Sequence, residues 1–328
     1  MTKMDKGEKG MRKIKQYIIP IYIAICLLIS MFIYLTIKLD NPDRGKAKIG
    51  VTYMTMNNTF YQAITNEIQK VVNENNDIVY IRDPALNEKK QIQQINDFIQ
   101  LEVNYIIINP VNSKSIAPTL KKAKELGIKI VVVDSPISDE SIADCTIVSN
   151  NYDAGVQCAK DMMSHFSQAN IVLLEHNSVI SAVDRINGFL DTVKDNQNYQ
   201  VIDRVDCLGQ TELALPAMRR VIAKHKDFQV VMALNDPSAL GALAALEESH
   251  LNHVFVYGVD GSPDMKKLIK SGENVKATAS QSPTSMGKEA IKVIYKMKNN
   301  KKYDKQIVIP VTMINRDNID HYTLSGWQ

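Results

Sequence analysis

From residue 47 onward the chain switches repeatedly between two hydrophobic periods. Short apolar runs predict strands at KIGVTYM (48–54), IVYI (78–81), YIIINP (105–110), KIVVVD (129–134) and CTIVSN (145–150). A second series follows at NIVLLEH (170–176), VVMALND (230–236), VFVYGVDG (254–261) and VKATASQ (275–281). Between the runs, residues 60–74, 88–101, 115–126, 182–194 and 237–249 place apolar side chains at helical spacing and predict amphipathic helices. Gly127 ends a lysine-rich helix and hands over directly to a strand, as a C-terminal cap does. Asp236, Ser262 and Ser282 each precede a proline and predict N-caps. Strands alternating with helices specify parallel sheets covered on both faces. Roughly nine such units exceed one comfortable core, so the fold class is α/β with two Rossmann-like lobes in tandem.

The preceding residues follow a different rule. Tyr17 to Ile37 is a run of 21 residues without a formal charge. At ~1.5 Å per residue a helix of that length crosses a hydrocarbon core of ~30 Å. The expected order is a cytoplasmic basic tail (1–16), a transmembrane signal-anchor (17–39), a linker (40–46) and an extracellular domain (47–328). The tail's positive charge fixes that single-pass orientation in the cell membrane. The following KLDNPDRGK has no small-x-small cleavage site, and Cys26 follows Ile25, where a lipoprotein signal needs a small residue.

Charge sharpens the division. The net charge of +3 separates into +4 over residues 1–16 and −1 over the rest, where 33 basic face 34 acidic side chains. A body without basic excess is not a nucleic-acid binder. Cys145, Cys158 and Cys207 form an odd set without a C-x-x-C, which reads as small buried hydrophobes rather than disulfides or a zinc site. His250 and His253 fall in a loop between helix and strand, so no metal is expected. The chain has no G-x-S-x-G, H-E-x-x-H, Walker loop or G-x-G-x-x-G, so neither an enzyme nor a cofactor is expected.

In open α/β sheets, ligands sit beyond the carboxyl ends of the strands. There the sequence supplies Asn57, Asn58, Phe60 and Tyr61 after the first strand, Asn109 after the third, and Asp134 and Ser135 after the fourth. The second half supplies Asn235 with Asp236, then Asp260, then Gln281, and Arg185 opens the helix after NIVLLEH. Carboxylates and amides bridge neighbouring hydroxyls, and aromatic rings cover the C–H face of a sugar. The candidate ligand site is therefore Asn58, Phe60, Tyr61, Asn109, Asp134, Ser135, Arg185, Asn235, Asp260 and Gln281.

Six segments carry a resemblance in order: NNTFY (57–61), IIINP (106–110), VVVDSP (131–136), LNDPSALGALAALE (234–247), YGVDGSPD (257–264) and KATASQ (276–281). Across residues 47–328 the chain resembles the ribose-binding branch of the type I periplasmic sugar-binding proteins, whose fold lactose-repressor relatives share. The resemblance implies an amide and aromatic clamp at Asn58, Phe60 and Tyr61. It implies hydroxyl contacts at Asp134, Asn235 and Asp260, a ligand arginine at Arg185 and a last polar contact at Gln281. It also implies hinge strands near 149–151, 280–282 and 310–312. Lobe 1 would be about 47–149 plus 282–310, and lobe 2 about 150–281 plus 311–328. Ser135 stands where the family usually has arginine, Val259 replaces an aromatic, and DCLGQ (206–210) lacks a stacking ring. The implied ligand is a monosaccharide, a pentose before a hexose. The implied partner is a sensor histidine kinase of a two-component system, with the permease of an ABC sugar importer as the alternative.

Overall fold

The computed structural model describes residues 18, 20–34, 36, 43, 45–272 and 274–328. Met1–Lys46 and Ala47–Gln328 are separate units. In the first, residues 20–34 form helix α1, whose side chains are exposed. Among the described residues no helix is long and apolar enough to cross a membrane. Residues 17, 19, 35 and 37–39 of the expected span, and the whole basic tail, lie outside the described residues.

Among the described residues of the second unit, twelve strands form two six-stranded sheets. The first sheet holds β1 (Lys48–Thr52), β2 (Ile78–Arg82), β3 (Tyr105–Ile108), β4 (Lys129–Val133), β5 (Cys145–Ser149) and β11 (Gln306–Ile309), in the order β11-β5-β4-β3-β1-β2. Every pairing in it is parallel. The second holds β6 (Ala169–Glu175), β7 (Tyr199–Asp206), β8 (Val230–Ala233), β9 (Phe255–Asp260), β10 (Val275–Ser280) and β12 (Thr312–Asn315). Its order is β12-β10-β9-β8-β6-β7, and only β12 runs antiparallel.

The central strands read as continuous apolar runs because both faces are covered. Ile106, Ile108, Ile130 and Val132 face Phe98 and Leu120 of the helices α3 (Glu88–Gln100) and α4 (Ala117–Glu125). The other face joins a core with α2 (Thr59–Glu74) and α10 (Pro283–Lys298), where Ile64, Ile68, Met286 and Ile294 are buried. The second sheet is covered by α5 (Asn151–His165), α6 (Ile180–Val193), α7 (Thr211–Lys224), α8 (Asp236–Glu248) and α9 (Pro263–Ser271). The chain passes between the sheets at Ser149–Asn151, Ser280–Pro283 and Ile309–Thr312.

Three sequence expectations need correction. β7 was absent from the expected strands: it is an edge strand, half-exposed along its length, without an apolar run. Arg185 stands in the second turn of α6, not at its start, because the helix begins at Ile180. Asp236 is not the cap of α8; Asn235 is, accepting from Ser238 N, while Asp236 is fully buried at the first helical position. Ser262 and Ser282 cap as their prolines indicate, and Gly127 takes the left-handed conformation with φ +88°. Cys145, Cys158 and Cys207 are free and buried, while His250 and His253 are exposed in a turn.

Candidate functional site

The carboxyl edges of the two sheets meet. Ser181 N, in the first turn of α6, donates to Ser135 Oγ at 3.2 Å, and Ser113 N donates to Ser178 O at 3.4 Å. Between these contacts lies a buried polar cluster drawn from both sheets.

Arg185 is its centre, with a side chain 5% exposed. One face of the guanidinium is fixed: Nε donates to Asn151 Oδ1 at 2.9 Å and Nη1 to Leu234 O at 3.0 Å. Its remaining hydrogens lie toward two carboxylates, Asp134 Oδ1 at 3.9 Å from Nη2 and Asp260 Oδ1 at 3.8 Å from Nη1. These are ion pairs without direct hydrogen bonds, since both separations exceed hydrogen-bond distance. A close helix contact sets the position of Arg185. A Cβ on Gly155 of α5 would lie 1.8 Å from Arg185 O, and one on Gly188 of α6 would lie 2.0 Å from Tyr152 O.

Asp134 follows β4 with φ +65°, and Asp260 ends β9 with φ +145°. Both conformations are costly for a side chain with a Cβ, by ~1–3 kcal/mol each, and such outliers concentrate where function over-determines the backbone. Asp134 Oδ2 accepts from Tyr61 Oη at 3.0 Å and Asn109 Nδ2 at 3.1 Å. Asp260 Oδ1 accepts from Gln281 Nε2 at 2.7 Å, and Asp260 Oδ2 from Asp236 N at 3.4 Å. Gln281 Oε1 is buried and has no hydrogen-bond partner among the described residues.

Burial dominates the electrostatics. It raises the Asp134 carboxyl above its ordinary range against the pull of Arg185 and Tyr61. Asp260 is pushed further up, by burial first and then by neighbouring Asp236, with Arg185 opposing both. Asp236 also rises through burial, held back by Thr278 Oγ1 and Ser262 N, each donating to it at 2.7 Å. The Tyr61 phenol is driven well up by burial and by Asp134.

The aromatic wall lies on the first sheet's side. Tyr61 stacks on Tyr53 at 5.1 Å and 14°, and meets Phe60 edge-on at 5.5 Å. Trp327, from the C-terminal tail, meets the Phe60 ring edge-on at 5.6 Å.

Of the ten expected residues, Tyr61, Asn109, Asp134, Arg185, Asp260 and Gln281 form one connected cluster, and Phe60 packs against it through Tyr61. Ser135 contributes its hydroxyl to the contact with Ser181 N. Asn58 and Asn235 are held locally instead. Asn58 Oδ1 accepts from Phe60 N at 2.9 Å at the start of α2. Asn235 Oδ1 caps α8, while its Nδ2 donates to Gly209 O at 3.0 Å. The reading of the sequence missed Asn151, Tyr53 and Trp327. Asn151 has a faint signal in the Asn150-Asn151 pair that opens α5, where Asn150 is the cap. No metal-ligating group of three or more His, Cys, Asp or Glu occurs among the described residues.

Known proteins agree with this architecture. The periplasmic binding protein domain family matches residues 49–302. The ribose import binding protein of Bacillus subtilis is 27% identical over 302 residues, covering 89% of this chain and 97% of that protein. The D-apiose import binding protein of Actinobacillus succinogenes is 25% identical over 271 residues, covering 82% and 84%. Among solved structures, an ABC transporter solute binding protein from Mycobacterium smegmatis with bound glycerol superposes with a TM-score of 0.80 at 27% identity, covering 84% of this chain and 96% of that one. With two α/β sheets meeting at their carboxyl edges and a family match over most of its length, the chain belongs to the periplasmic binding protein family.

Proposed function

We propose that the protein is an extracytoplasmic receptor that closes on a neutral monosaccharide between its two sheets. The carrying observation is the Asp134–Arg185–Asp260 cluster, assembled from both sheets, with Gln281 Oε1 unpaired beside it. Such a cluster offers acceptors for sugar hydroxyls and a guanidinium for a ring or hydroxyl oxygen. Hydrogen bonds to charged groups contribute ~1.5–3 kcal/mol each. Tyr61 and Phe60 supply the apolar face. Residues from both lobes can contact one ligand only when the lobes are closed, so the ligand shifts the population toward closure by its differential affinity. The ribose and apiose import binding proteins among its relatives favour a pentose.

The apolar run at 17–37 behind a basic tail supports a membrane anchor with residues 47–328 outside the cell. A seven-residue linker, 40–46, restricts diffusion away from the membrane, which favours reporting closure to a membrane sensor histidine kinase. Delivery to an ABC importer is the second reading, favoured by the import functions in the relatives' names. Calorimetric titration of residues 47–328 with pentoses and hexoses tests the receptor reading; no heat with any neutral sugar would overturn it. In cells, loss of the transcriptional response on deleting the partner kinase, with uptake intact, supports sensing. Loss of uptake on deleting this protein, with the response intact, supports import.

A further inference from the structure

The segment that follows β12 ties the second sheet to the aromatic wall of the first. β12 pairs antiparallel with β10, and beyond it residues 316–326 return along α9 toward the carboxyl edge. Arg316 Nη1 donates to Ile269 O at 2.9 Å, and Asp320 pairs with Lys270. One turn earlier in α9, Lys266 Nζ donates to Thr323 O at 2.6 Å and Gly326 O at 2.5 Å. Lys266 is fully buried, a rare place for a lysine, and both of these acceptors are main-chain carbonyls of the returning segment. Hydrogen bonds from a charged donor are roughly twice as strong as neutral ones, so the segment is firmly held on the second lobe.

Its far end reaches the first lobe through weaker contacts. Trp327 meets the Phe60 ring edge-on, and Phe60 meets Tyr61, whose hydroxyl donates to Asp134. Gln328 O accepts from Thr284 Oγ1 at 3.0 Å, at the start of α10, and from Ser282 Oγ in the crossover before it. Ser282 Oγ has one hydrogen, and Ser285 Oγ at 2.8 Å competes for it. Gln328 Nε2 is buried without a hydrogen-bond partner among the described residues, which weakens this end further.

We propose that Lys266 is a positioning residue for the sugar site: through the segment it fixes on the second lobe it sets Trp327 against Phe60, and this contact completes the aromatic wall only when the lobes are closed. The proposal rests on the closing receptor of the preceding section. A segment bound firmly to one lobe and loosely to the other parts at the loose end, so opening takes Trp327 from Phe60 and closing returns it. A contact made only in the closed form shifts the population toward that form by its own free energy. Trp327 is the only tryptophan in the chain, so tryptophan fluorescence reports this contact alone.

The test uses the full chain in detergent micelles, without sugar. Exposed Cys26 is removed by Cys26→Ser, and nitroxide labels are placed at Lys114→Cys and Glu212→Cys, exposed positions at the carboxyl edges of the first and second sheets. Pulsed dipolar spectroscopy reads the distance between the lobes. Lys266→Met should lower the closed, short-distance fraction about threefold, the size expected for one aromatic contact. Acrylamide should also quench Trp327 faster than in the parent chain. Trp327→Ala should lower the closed fraction equally, and the double variant no further, because both substitutions act through one contact. Additive effects overturn the proposal. Unchanged distances overturn it too, whatever the quenching, since the segment is then local packing. If Lys266→Met does not fold, Trp327→Ala decides by the same distances. Because the comparison is made without sugar, it stands or falls apart from the receptor reading, whose own failure is a distance distribution that pentoses leave unchanged.

Discussion

Arg185 carries a prediction in which stability and protonation test the same geometry. Its side chain is 5% exposed, flanked by Asp134 at 3.9 Å and Asp260 at 3.8 Å. Arg185→Met keeps much of the volume and removes the charge. Breaking a buried ion pair by deleting one partner costs ~3–5 kcal/mol, because the remaining charge is left uncompensated. Asn151 Oδ1 and Leu234 O lose their donor as well, so ~4–5 kcal/mol is expected in total. At ~2–4 °C per kcal/mol for a large domain, melting falls by roughly 8–20 °C.

The sign of the pH dependence follows from the carboxyls. Burial raises both Asp134 and Asp260 above their unfolded values, so the native state binds more protons than the unfolded one above about pH 4. Stability contributed by these groups is therefore present at low pH and lost as pH rises through their raised values. Arg185 lowers both, so the variant raises them further and extends the loss to higher pH. Melting curves of residues 47–328, wild type and Arg185→Met, from pH 5 to pH 8 should show a deficit that widens with pH. Its slope is at most ~1.4 kcal/mol per pH unit for each proton. A deficit of constant size, or melting temperatures that coincide, would refute the compensating role. Arg185→Lys retains the charge but not the fork, and should recover only part of the loss.

Asp260→Asn removes a carboxylate that burial and Asp236 already disfavour, so the ligand-free protein should melt no lower than wild type. Its sugar affinity by calorimetry should fall at least tenfold, about 1.4 kcal/mol; unchanged affinity would remove Asp260 from the site. Gly155→Ala drives a methyl group into Arg185 O, so urea unfolding should register a loss of ~3 kcal/mol, and wild-type stability would show that α5 and α6 are not in close contact. Trp327→Ala strips the edge-on partner from Phe60, while Lys266 still holds the tail through Thr323 O at 2.6 Å and Gly326 O at 2.5 Å. Affinity should weaken by roughly threefold with little change in melting, the equivalent of ~0.7 kcal/mol.

The parallel strands were legible because double-sided burial writes itself as uninterrupted Ile and Val, as in YIII at 105–108 and KIVVV at 129–133. β7 left no such trace: its side chains are half-exposed, and Asp203 and Arg204 interrupt any apolar run. The short strands β11 and β12, four residues each, are likewise recognised by their partners rather than their composition. Within the site, Asp134, Asp260 and Gln281 were legible as polar residues where apolar runs end. The exchange of roles between Asn235 and Asp236 was not. Both are capping residues before a proline, and only the extended backbone of Asn235, φ −154° and ψ 169°, makes it the cap and buries Asp236. Asn151 escaped because it acts on Arg185 across a helix–helix contact that no local pattern encodes.

The count of charges in the cluster bears on the kind of sugar. Asp134, Asp236 and Asp260 are buried together with one guanidinium, and burial already raises all three carboxyls. Asp236 is occupied by Thr278 and Ser262, while Asp134 and Asp260 each accept two hydrogen bonds and keep further lone pairs for a sugar's hydroxyls. Neutral hydroxyls donate into those lone pairs and favour the ionised form. A carboxylate or phosphate on the sugar brings another negative charge into the same low-dielectric space, where charges a few ångströms apart repel by several kcal/mol. A uronic acid should therefore bind at least a hundredfold more weakly than the neutral sugar of the same ring, about 2.7 kcal/mol. Competition calorimetry reads this directly, and its pH dependence separates the causes. If repulsion sets the preference, acidification that protonates the uronate narrows the gap. A gap that stays fixed from pH 7 to pH 3.5 would place the discrimination in shape rather than charge.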